Sequence, residues 1–555
     1  MHRICTCFIL PLVFLMTSIV EPAFGNSDIR QRDKEHVVIK KCKSLSKQLV
    51  RENTIYEIYD VITIGKDVTI PKGCTIVFNG GRLQSKSSKG YRLIGDNTIL
   101  RLGESQAIGG IKLEGSFLVD SIYVHNFYKY QSDYERLTQA FNLAKKSKVP
   151  TTVFFEPHHD YVIKQDNGNN GISGAIFRFS ELRRMRIEGQ NARIIDETAS
   201  SSNMSATIFE FRDCDNVDIK DLCYLYFRYK DISLDKKIGY IGGRFLQIIG
   251  DCSNFNINVK ATGALEAVKI NGNIKDVDYR ADRGLTNSAI NVSAYYCGYP
   301  VTVYLADSLN ITINSDIHHR ACILHGLTNS KVNVSCRNIC IAPQHVLCRD
   351  MLYKDKNGRS IHKACSDLNV SVIDNGTTRE PSQMSYCFGL GYYGLNTEKP
   401  DSFCNINVKA TTKSPLIGLF CFTDAAAMRV PGKIKDIVLE GVNDGARMTS
   451  AHIDMFENLY GHDYNVSVRY IGKYLSRVSV ESNKGKVMIH DSDLDYLYVY
   501  GKVDLISSTV VSHISHNRRK LEARSVNTEI HSINSRYQSS NVNRLDNEQF
   551  SIISR

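Results

Sequence analysis

Tryptophan is absent from this 555-residue sequence, which instead carries 29 Tyr and 22 Phe residues. Aromatic stacking, in a core or on a ligand, therefore depends on Tyr and Phe. Long apolar runs are also missing beyond the first 25 residues, where no stretch reaches the roughly 18 residues that a membrane-spanning helix needs. The sequence after that point therefore predicts no transmembrane segment.

Paired cysteine motifs of the CxxC type are absent, although the sequence has 16 Cys. Cys5 and Cys7 lie at the N-terminus, and most of the others fall on or beside predicted strands. Because Cys behaves as a small hydrophobic residue, we interpret most of them as buried thiols that fill a core. Disulfide bonds, which an oxidising compartment allows, and a zinc site are the alternatives, and no residue is assigned to a metal.

A strong excess of one charge is lacking as well. The net charge of +11 is modest for this length, and the basic residues are scattered along the chain. This charge suits an acidic partner such as an anionic polysaccharide, and equally a solvated surface with slightly more Lys. The scatter argues against a nucleic-acid partner.

The first 25 residues have the pattern of a signal peptide. Arg3 supplies a positive start, a nearly uncharged apolar run follows, and Ala23 and Gly25 have the spacing of small residues that a signal peptidase accepts. The residue directly after the predicted cleavage site is Asn26 and not the Cys that a lipid anchor would require, so a lipid-anchored protein is disfavoured. The pattern predicts an exported protein, periplasmic, cell-surface or secreted, whose mature chain begins at Asn26.

The most regular feature is a short pattern of apolar, small polar and apolar residues that begins at Ile290, Ile311 and Val332, at intervals of 21 residues. A repeat of about 20 residues built round a short strand is too short for a helical hairpin and fits one coil of a β-solenoid. An Asn often precedes the pattern, as at Asn216 and Asn256, which indicates a corner with left-handed backbone. The pattern recurs, with wider gaps, at Val217, Ile257, Val370, Ile406, Ile437, Val466 and Val487.

Strands of this Asn-Ile/Val-x-Ile/Val type, across most of the chain, resemble the right-handed parallel β-helix of the pectate-lyase-like superfamily. A predicted helix followed by Val153-x-Phe155-x-Pro157 and Tyr161-x-Ile163 is similar to the first elements of many such domains. The superfamily contains polysaccharide lyases, polygalacturonase-type hydrolases, epimerases and phage tailspikes. The resemblance implies an all-β parallel β-helix, and it says far less about the reaction.

Four segments follow from these patterns. After the predicted signal peptide, residues 43–128 contain short strands separated by turn residues and resemble the small all-β module that precedes β-helices in exported glycan-degrading proteins. Residues 129–512 are the predicted β-helix, with a capping helix at about 133–147 that starts at a capping box. Residues 513–555 are expected to be a polar tail or cover. The helix is expected to bury Leu137, Ala140, Phe141 and Ala144.

A site in a β-helix is a column, because residues at the same offset in successive coils stand about 4.8 Å apart. Nine residues after the start of three successive patterns come Glu266, Tyr299 and Arg320. Hydrolysis requires two carboxyl groups about 5 to 9.5 Å apart, which Glu266 with Asp316 or Asp307 would supply. The candidate catalytic residues at this corner are Glu266, Tyr296, Tyr299, His318, His319 and Arg320.

Lyase chemistry is the alternative to hydrolysis. It needs a cation to neutralise a uronate carboxylate while Tyr or His removes the adjacent proton. Arg320 with the neighbouring His and Tyr residues suits the lyase reaction slightly better than the hydrolysis reaction. Hydrolases are common among exported relatives, so both reactions stay open. The candidate substrate-binding residues are Tyr295, Asp316, Asp374, Lys413, Asp444 and Arg447.

The sequence also departs from the family's motifs. The polygalacturonase set is absent, and His318-His319-Arg320 stands where Asp-Asp would be expected. The Asp-rich calcium cluster of pectate lyases is not evident, so calcium has no supporting motif and no other cofactor is implied. Two hypotheses follow: an exported enzyme that cleaves glycosidic bonds of a polysaccharide or oligosaccharide, and a non-catalytic glycan-binding or surface-structural solenoid. The oligomeric state stays open.

Overall fold

The computed structural model shows a long stack of parallel β-strands. It describes residues 34–41, 44–87, 90–164, 174–198, 206–231, 242–271, 280–340, 343–378, 385–392, 401–422, 433–444, 453–455, 463–472, 476–516, 528–537, 542–543 and 550–554. The predicted signal peptide lies outside these residues. Within the described ranges, no helix has the length and apolarity needed to cross a membrane.

The first part of the chain is a small parallel stack. Ten of its eleven strands form two sheets, and the remaining one, Ser121–Tyr123, pairs with Thr152–Phe154 of the main stack. Ile55 pairs with Thr75 and Val61 with Arg82, so the chain already winds in coils of 20 to 21 residues. The apolar residues of this part belong to the same continuous core as the rest of the chain. The strands are β1 (His36–Val38), β2 (Ile55–Ile58), β3 (Val61–Ile64), β4 (Val68–Thr69), β5 (Thr75–Phe78), β6 (Arg82–Ser85), β7 (Arg92–Arg101), β8 (Ile108–Gly109), β9 (Lys112–Leu118), β10 (Ser121–Tyr123) and β11 (Phe127–Tyr128), with 3-10 turns at Leu45–Lys47 and Val124–Asn126.

The helix α1 (Asp133–Lys146) follows and closes the end of the main stack. Ser132 is its N-cap, with Oγ accepting a hydrogen bond from the Glu135 N–H at 3.2 Å. The helix buries the predicted apolar face. Its Phe141 ring packs on four aromatic rings of the first coils, those of Phe155, Phe177, Phe179 and Phe209.

The main stack has three faces, which we name A, B and C in chain order around one coil. Face A consists of β14 (Ala175–Ser180), β17 (Thr207–Arg212), β19 (Arg244–Ile249), β21 (Glu266–Ile270), the first residues of β23 (Tyr299–His318) and β24 (Cys322–Ile339), then β25 (Gln344–Arg349), β29 (Ser385–Gly391), β31 (Ile417–Phe422) and β33 (Ile453–Met455). Face B begins with β12 (Thr151–Phe154) and β15 (Met185–Glu188), and face C with β13 (Asp160–Ile163) and β16 (Arg193–Asp196).

From the third coil onward one long strand covers faces B and C. Both β15 and β16 pair with β18, and a register shift after Lys220 marks the bend between the two faces. An antiparallel hairpin of β26 (Met351–Lys354) and β27 (Ser360–Lys363) is inserted after β25. The long strands are β18 (Asp215–Tyr226), β20 (Cys252–Thr262), β22 (Leu285–Cys297), β28 (Ser366–Asp374), β30 (Phe403–Thr412), β32 (Lys433–Asn443) and β34 (Asp463–Gly472), with a 3-10 turn at Tyr229–Asp231.

The repeat found in the sequence is the inward face of these strands. Ile257, Ile290, Ile311 and Val332 pair in register on four successive coils and are fully buried. Each coil therefore adds one layer of branched apolar side chains to a core that runs along the stack. The predicted parallel β-helix is confirmed.

The corner between faces A and B uses left-handed backbone, as the Asn residues suggest. Asn216 and Asn405 have positive φ, whereas in the coil of Asn256 the left-handed residue is Asn254. Small polar residues tolerate this conformation because their side chains bond locally. The column comprises Asn254, Asn287, Ser308, Asn329, Asp367 and Asn405, with φ between 48° and 57°.

Parallel winding continues beyond residue 512, into the segment expected as a polar tail or cover. Val503 pairs with Ile530, which pairs with Ile552, because apolar residues still alternate with the Ser and His of this segment. The final strands are β35 (Ser476–His490), β36 (Asp493–Ile506), β37 (Thr509–His516), β38 (Thr528–Ile533), β39 (Arg536–Tyr537), β40 (Val542–Asn543) and β41 (Phe550–Ser554).

The cysteines of the described residues are free thiols, and most are buried in the core. Cys297, Cys322 and Cys336 face the interior of successive coils. Burial raises the pKa of the Cys252 thiol to about 12 and that of Cys214 to about 11. The thiols of Cys214 and Cys252 therefore stay protonated at neutral pH and act as small apolar side chains.

Candidate functional site

The outer surface of face A carries the column expected from the repeat. Glu266 pairs in register with Tyr299, and the pairing of Val301 with Cys322 places Arg320 directly above Tyr299. Arg244 lies below Glu266. We name this region the face A recess and define it by the register positions of Arg244, Glu266, Lys269, Tyr299, Tyr304, His319, Arg320, His325, Gln344 and Arg349.

The recess has a positive side chain on most of its coils. Arg244 forms an ion pair with Glu266, and both side chains are mostly buried. Lys269, also buried, places Nζ 5.9 Å from the centre of the Tyr304 ring. Arg349 follows His325 in register at the far end. The recess is therefore suited to a ligand with negative charge.

Arg320 is the central cation of the recess. Its Nε and Nη2 groups donate to the main-chain oxygen and Oε1 of Gln344 at 3.3 and 3.1 Å. Among the described residues, no carboxylate lies within ion-pairing distance of its guanidinium group. Burial and then the neighbouring Arg349 lower the pKa of Arg320 to about 10. A buried guanidinium group beside a second one is costly unless an anion binds there.

A tyrosine and a histidine lie next to this cation. The rings of Tyr299 and His319 meet edge to face, with centroids 5.1 Å apart. Burial lowers the pKa of His319 to about 4, with a further contribution from Arg320, so the imidazole is neutral at pH 7. Its buried Nδ1 has no hydrogen-bond partner among the described residues. A neutral imidazole next to a guanidinium group can accept a proton from a bound molecule.

A second aromatic pair lies further along the same face. Tyr304 and His325 stack with centroids 4.7 Å apart and planes 5° apart. His325 Nδ1–H donates to the Asp350 main-chain oxygen at 2.8 Å, and burial lowers the pKa of His325 to about 4. Asp350 accepts from His362 Nε2 at 2.7 Å. These contacts fix the ring of His325 as a wall of the recess.

Six recess residues were not identified as site residues from the sequence: Arg244, Lys269, Tyr304, His325, Gln344 and Arg349. A signal for three of them exists, because Tyr304, His325 and Arg349 pair in register on consecutive coils. The first interval is 21 residues and the second is 24, so a scan at constant spacing misses Arg349.

Tyr295, Tyr296 and Asp316 lie across the corner, on or beside face C. Tyr295 is 43% exposed, and its ring lies near those of Tyr229 and Tyr296. Asp316 accepts from Arg337 Nη2 at 2.7 Å and from Asn338 Nδ2 at 2.9 Å. An open groove of about 600 Å³, the face C groove, is lined by Lys260, Thr262, Ser293, Tyr295, Asn314, Asp316, Ser335, Arg337 and Asn375.

His318 and Asp374, expected at the surface, point into the core. His318 is fully buried, with Nδ1 3.0 Å from Ser315 Oγ and Nε2 2.9 Å from His345 Nδ1. Asp374 is also fully buried and accepts from Thr377 and Thr412. Ile317 has left-handed backbone, which shifts the alternation by one residue, so that His318 follows Ser315 into the core and His319 points outward. Neither side chain can contact a substrate on the surface.

Lys413 and Asp444 stand one above the other at an exposed corner after face C, where each main-chain N–H bonds to the coil before it. They follow β30 and β32 on the face C side, and neither lies on the face A strands that carry the recess residues. Arg447 lies outside the described residues. The later coils therefore contribute exposed charges next to face C.

Calcium does not fit the recess. This ion takes six to eight oxygen ligands, mainly from carboxylates and carbonyl groups. In the described part of the recess the surface carboxylate is Glu266, which is already paired with Arg244. The surrounding Lys and Arg residues would repel the ion.

No protein-family model matches this chain, and no curated protein matches it. One similar solved structure is the catalytic domain of a GH87 α-1,3-glucanase in complex with tetrasaccharides, at 10% identity over 75% of this chain and 66% of that chain, with a TM-score of 0.32. Another is PfbA, a surface adhesin of Streptococcus pneumoniae, at 10% identity over 87% and 83% of the two chains, with a TM-score of 0.27. A GH87 α-1,3-glucanase domain in complex with nigerose has 7% identity, coverage of 94% and 68%, and a TM-score of 0.25.

Proposed function

We propose that this chain is an exported carbohydrate-active enzyme that cleaves glycosidic bonds of an acidic polysaccharide in the face A recess. The observation that carries the proposal is Arg320, a mostly buried guanidinium group that lies beside Arg349 and has no carboxylate partner among the described residues. A uronate carboxylate would supply the missing negative charge. Arginine is well suited to this because its planar group binds a carboxylate through two parallel hydrogen bonds.

The contents of the recess favour elimination over hydrolysis. Hydrolysis would need a second carboxyl group about 5 to 9.5 Å from the first, and Glu266 is engaged by Arg244. Asp316 lies in the face C groove, and Asp307 accepts from Thr328 and Asn329 at the corner between faces A and B. Neither aspartate lines the recess.

In the proposed reaction, Arg320 and Arg349 bind the uronate carboxylate and stabilise the charge that develops on it. His319, neutral at pH 7, accepts the proton from the carbon adjacent to the carboxylate. The electron pair left on the deprotonated carbon forms a double bond to the next ring carbon. The glycosidic C–O bond at this second carbon breaks at the same time, and its electrons go to the leaving oxygen. The Tyr299 hydroxyl donates a proton to the leaving oxygen.

The test is to incubate the purified chain with a panel of acidic and neutral polysaccharides and to measure the ultraviolet absorbance of an unsaturated uronate. We expect this product from an acidic glycan, and we expect Tyr299→Phe and His319→Ala to reduce its rate. Arg193→Gln is the control, because Arg193 is an exposed residue paired with Asp160 on face C. Cleavage that yields saturated ends would contradict elimination, and no cleavage of any acidic glycan would contradict the proposal.

A second candidate function, glycan binding without cleavage, is favoured by the face C groove. The groove is open, and the exposed ring of Tyr295 stands beside Asp316 and Arg337, an arrangement suited to stacking on a sugar and bonding its hydroxyl groups. Tyr295→Ala should weaken oligosaccharide binding measured by calorimetry. If that variant binds as wild type does, the groove is not a glycan site.

A further inference from the structure

The interior of the solenoid contains a cluster of metal-binding residue types that the proposed reaction does not use. His318, Cys336 and His345 come from β23, β24 and β25, and each is 0 to 2% exposed. One ligand atom from each residue lies within 4.8 Å of the other two. The cluster sits in the core behind the corner between faces C and A.

The two imidazoles face each other. His318 Nε2 lies 2.9 Å from His345 Nδ1, and His318 Nδ1 lies 3.0 Å from Ser315 Oγ. The other nitrogen of His345, Nε2, is buried and has no hydrogen-bond partner in the described structure. It points toward Asp374, whose Oδ1 is 3.7 Å away.

Asp374 is held firmly in this position. It accepts hydrogen bonds from the Thr377 N–H at 3.2 Å, the Thr377 hydroxyl at 2.7 Å and the Thr412 hydroxyl at 3.1 Å. Among the described residues, His345 is the basic side chain within ion-pairing distance of it. A fully buried carboxylate is costly without a compensating positive charge.

We propose that His318, Cys336 and His345 bind a zinc ion inside the solenoid. Imidazole nitrogens and a thiolate are the ligands that zinc prefers, and three protein ligands leave one position of a tetrahedral ion for a water molecule. Asp374 would then accept a hydrogen bond from His345 Nε2–H while Nδ1 binds the metal. This carboxylate–histidine–metal arrangement fixes the tautomer of the ligand.

Charge favours a divalent ion at this position. The thiolate of Cys336 and the carboxylate of Asp374 together carry two negative charges, and the two histidines are neutral ligands, so a divalent ion makes the buried cluster neutral. Without a metal, a chain of hydrogen bonds from Ser315 through both histidines leaves His345 Nε2 unpaired and Asp374 uncompensated. The zinc ion satisfies both groups at once.

The ion would join three consecutive segments of the stack. Because every ligand is buried, zinc must enter while the chain folds, and the folded protein should exchange it slowly. We assign the metal a structural role, because its three ligands are buried in the core, whereas the face A recess lies on the outer surface. The proposal is therefore independent of the proposed enzymatic function.

The first experiment measures metal content and stability of the full chain. Protein produced with zinc in the medium should contain one zinc ion per chain by mass spectrometry after extensive dialysis, and protein refolded with EDTA should unfold at lower denaturant concentration than protein refolded with zinc. A wild-type protein that holds no zinc under either condition, with the same unfolding midpoint, would overturn the proposal.

Variants then test the ligands. Cys336→Ser and His345→Gln should lose the zinc, whereas Cys322→Ser, at another buried thiol of β24, should keep it. Asp374→Asn should weaken zinc affinity about 10- to 100-fold. If the ligand variants fail to fold, wild-type protein refolded with cobalt decides: a thiolate-to-cobalt charge-transfer band supports the site, and its absence rejects it.

Discussion

The face A recess and the face C groove flank the same corner of the solenoid, and they treat their charged residues differently. In the groove, Arg337 is exposed and its guanidinium group is already bound to Asp316. In the recess, Arg320 is mostly buried and lies against a second guanidinium group. Surface ion pairs contribute little energy, whereas a buried charge without a partner needs a ligand.

The comparison shows that residue type alone does not locate a site in a solenoid. Tyr, Arg and Asp or Glu occur on both surfaces, within a few residues of each other in the sequence. Burial and pairing, which depend on the neighbouring coils, distinguish Arg337, which is exposed and paired with a carboxylate, from Arg320, which is mostly buried and has no carboxylate partner among the described residues. Four experiments test this distinction.

The largest effect is expected from Arg320→Ala. Removing the cation that we propose holds the substrate carboxylate should lower kcat/KM by about 10²- to 10³-fold, the loss seen when one donor to a developing charge is removed. Arg320→Lys should recover only part of the rate, because Lys lacks the two-pronged geometry. Steady-state kinetics on the cleaved glycan gives the measurement, and an Arg320→Ala enzyme with unchanged kcat/KM would assign the reaction elsewhere.

Glu266→Gln should mainly reduce stability. The substitution leaves the Arg244 guanidinium group, whose side chain is 15% exposed, without its carboxylate. We expect the free energy of unfolding to fall by about 2 kcal/mol, less than for a fully buried pair. Glu197→Gln is a matched control, because its partner Lys164 is largely exposed. Equal unfolding midpoints in urea for both variants would show that the recess pair is no stronger than a surface pair.

Lowering the pH from 7 to 5 should destabilise the fold through the recess residue His325, whereas it should not change ligand binding in the face C groove. The folded-state pKa of His325 is about 4, below its ordinary value of 6.5, because the ring is buried. The unfolded chain therefore binds more protons between these values, so stability is full above pH 6.5 and falls as the pH drops toward 4. From pH 7 to 5 the loss from this residue is about 1.8 kcal/mol.

Denaturation in urea at several pH values measures this dependence. A His325→Gln variant should show a flatter dependence on pH, since Gln does not titrate in this range. The groove has no histidine among its described lining residues, so oligosaccharide binding there should stay constant from pH 7 to 5. Part of the dependence should remain in the variant, because the pKa of His319 is also lowered to about 4. A dependence on pH as steep as that of the wild type would contradict the role of His325.

The smallest effect is expected from Arg337→Ala in the groove. Its side chain is 57% exposed, and the pair with Asp316 is open to solvent. The free energy of unfolding should change by less than about 1 kcal/mol. A loss as large as that of Glu266→Gln would remove the energetic difference between the two surfaces.

The fold and one column of the recess could be predicted from the sequence because they depend on a constant interval. Glu266, Tyr299 and Arg320 lie at one offset of the repeat, and the strands pair in the register that this offset requires. The helix boundary was predictable for a similar reason, since the capping residue Ser132 and the apolar face are local features.

The direction of side chains at corners could not be predicted. Tyr296 and Ile317 adopt left-handed backbone at the same corner, which interrupts the alternation of inward and outward side chains. His318 therefore enters the core while His319 stays on the surface beside Tyr299. The buried cluster with Cys336 and His345 was missed for the same reason, as its members are adjacent only through the winding of the chain.

Because the winding is uniform, the length of the solenoid can change without a change in the residues of any one site. One whole coil of 21 residues separates Ile290 from Ile311 and Ile311 from Val332, so duplicating or deleting such a unit would shift everything beyond it by one layer, about 4.8 Å, with all inward residues still inward. Gene duplication could thus lengthen each face of the solenoid stepwise while leaving the residues of the face A recess unchanged. Under the proposed function, relatives with more or fewer coils would differ in the number of sugar units they bind before they differ in the bond they cleave.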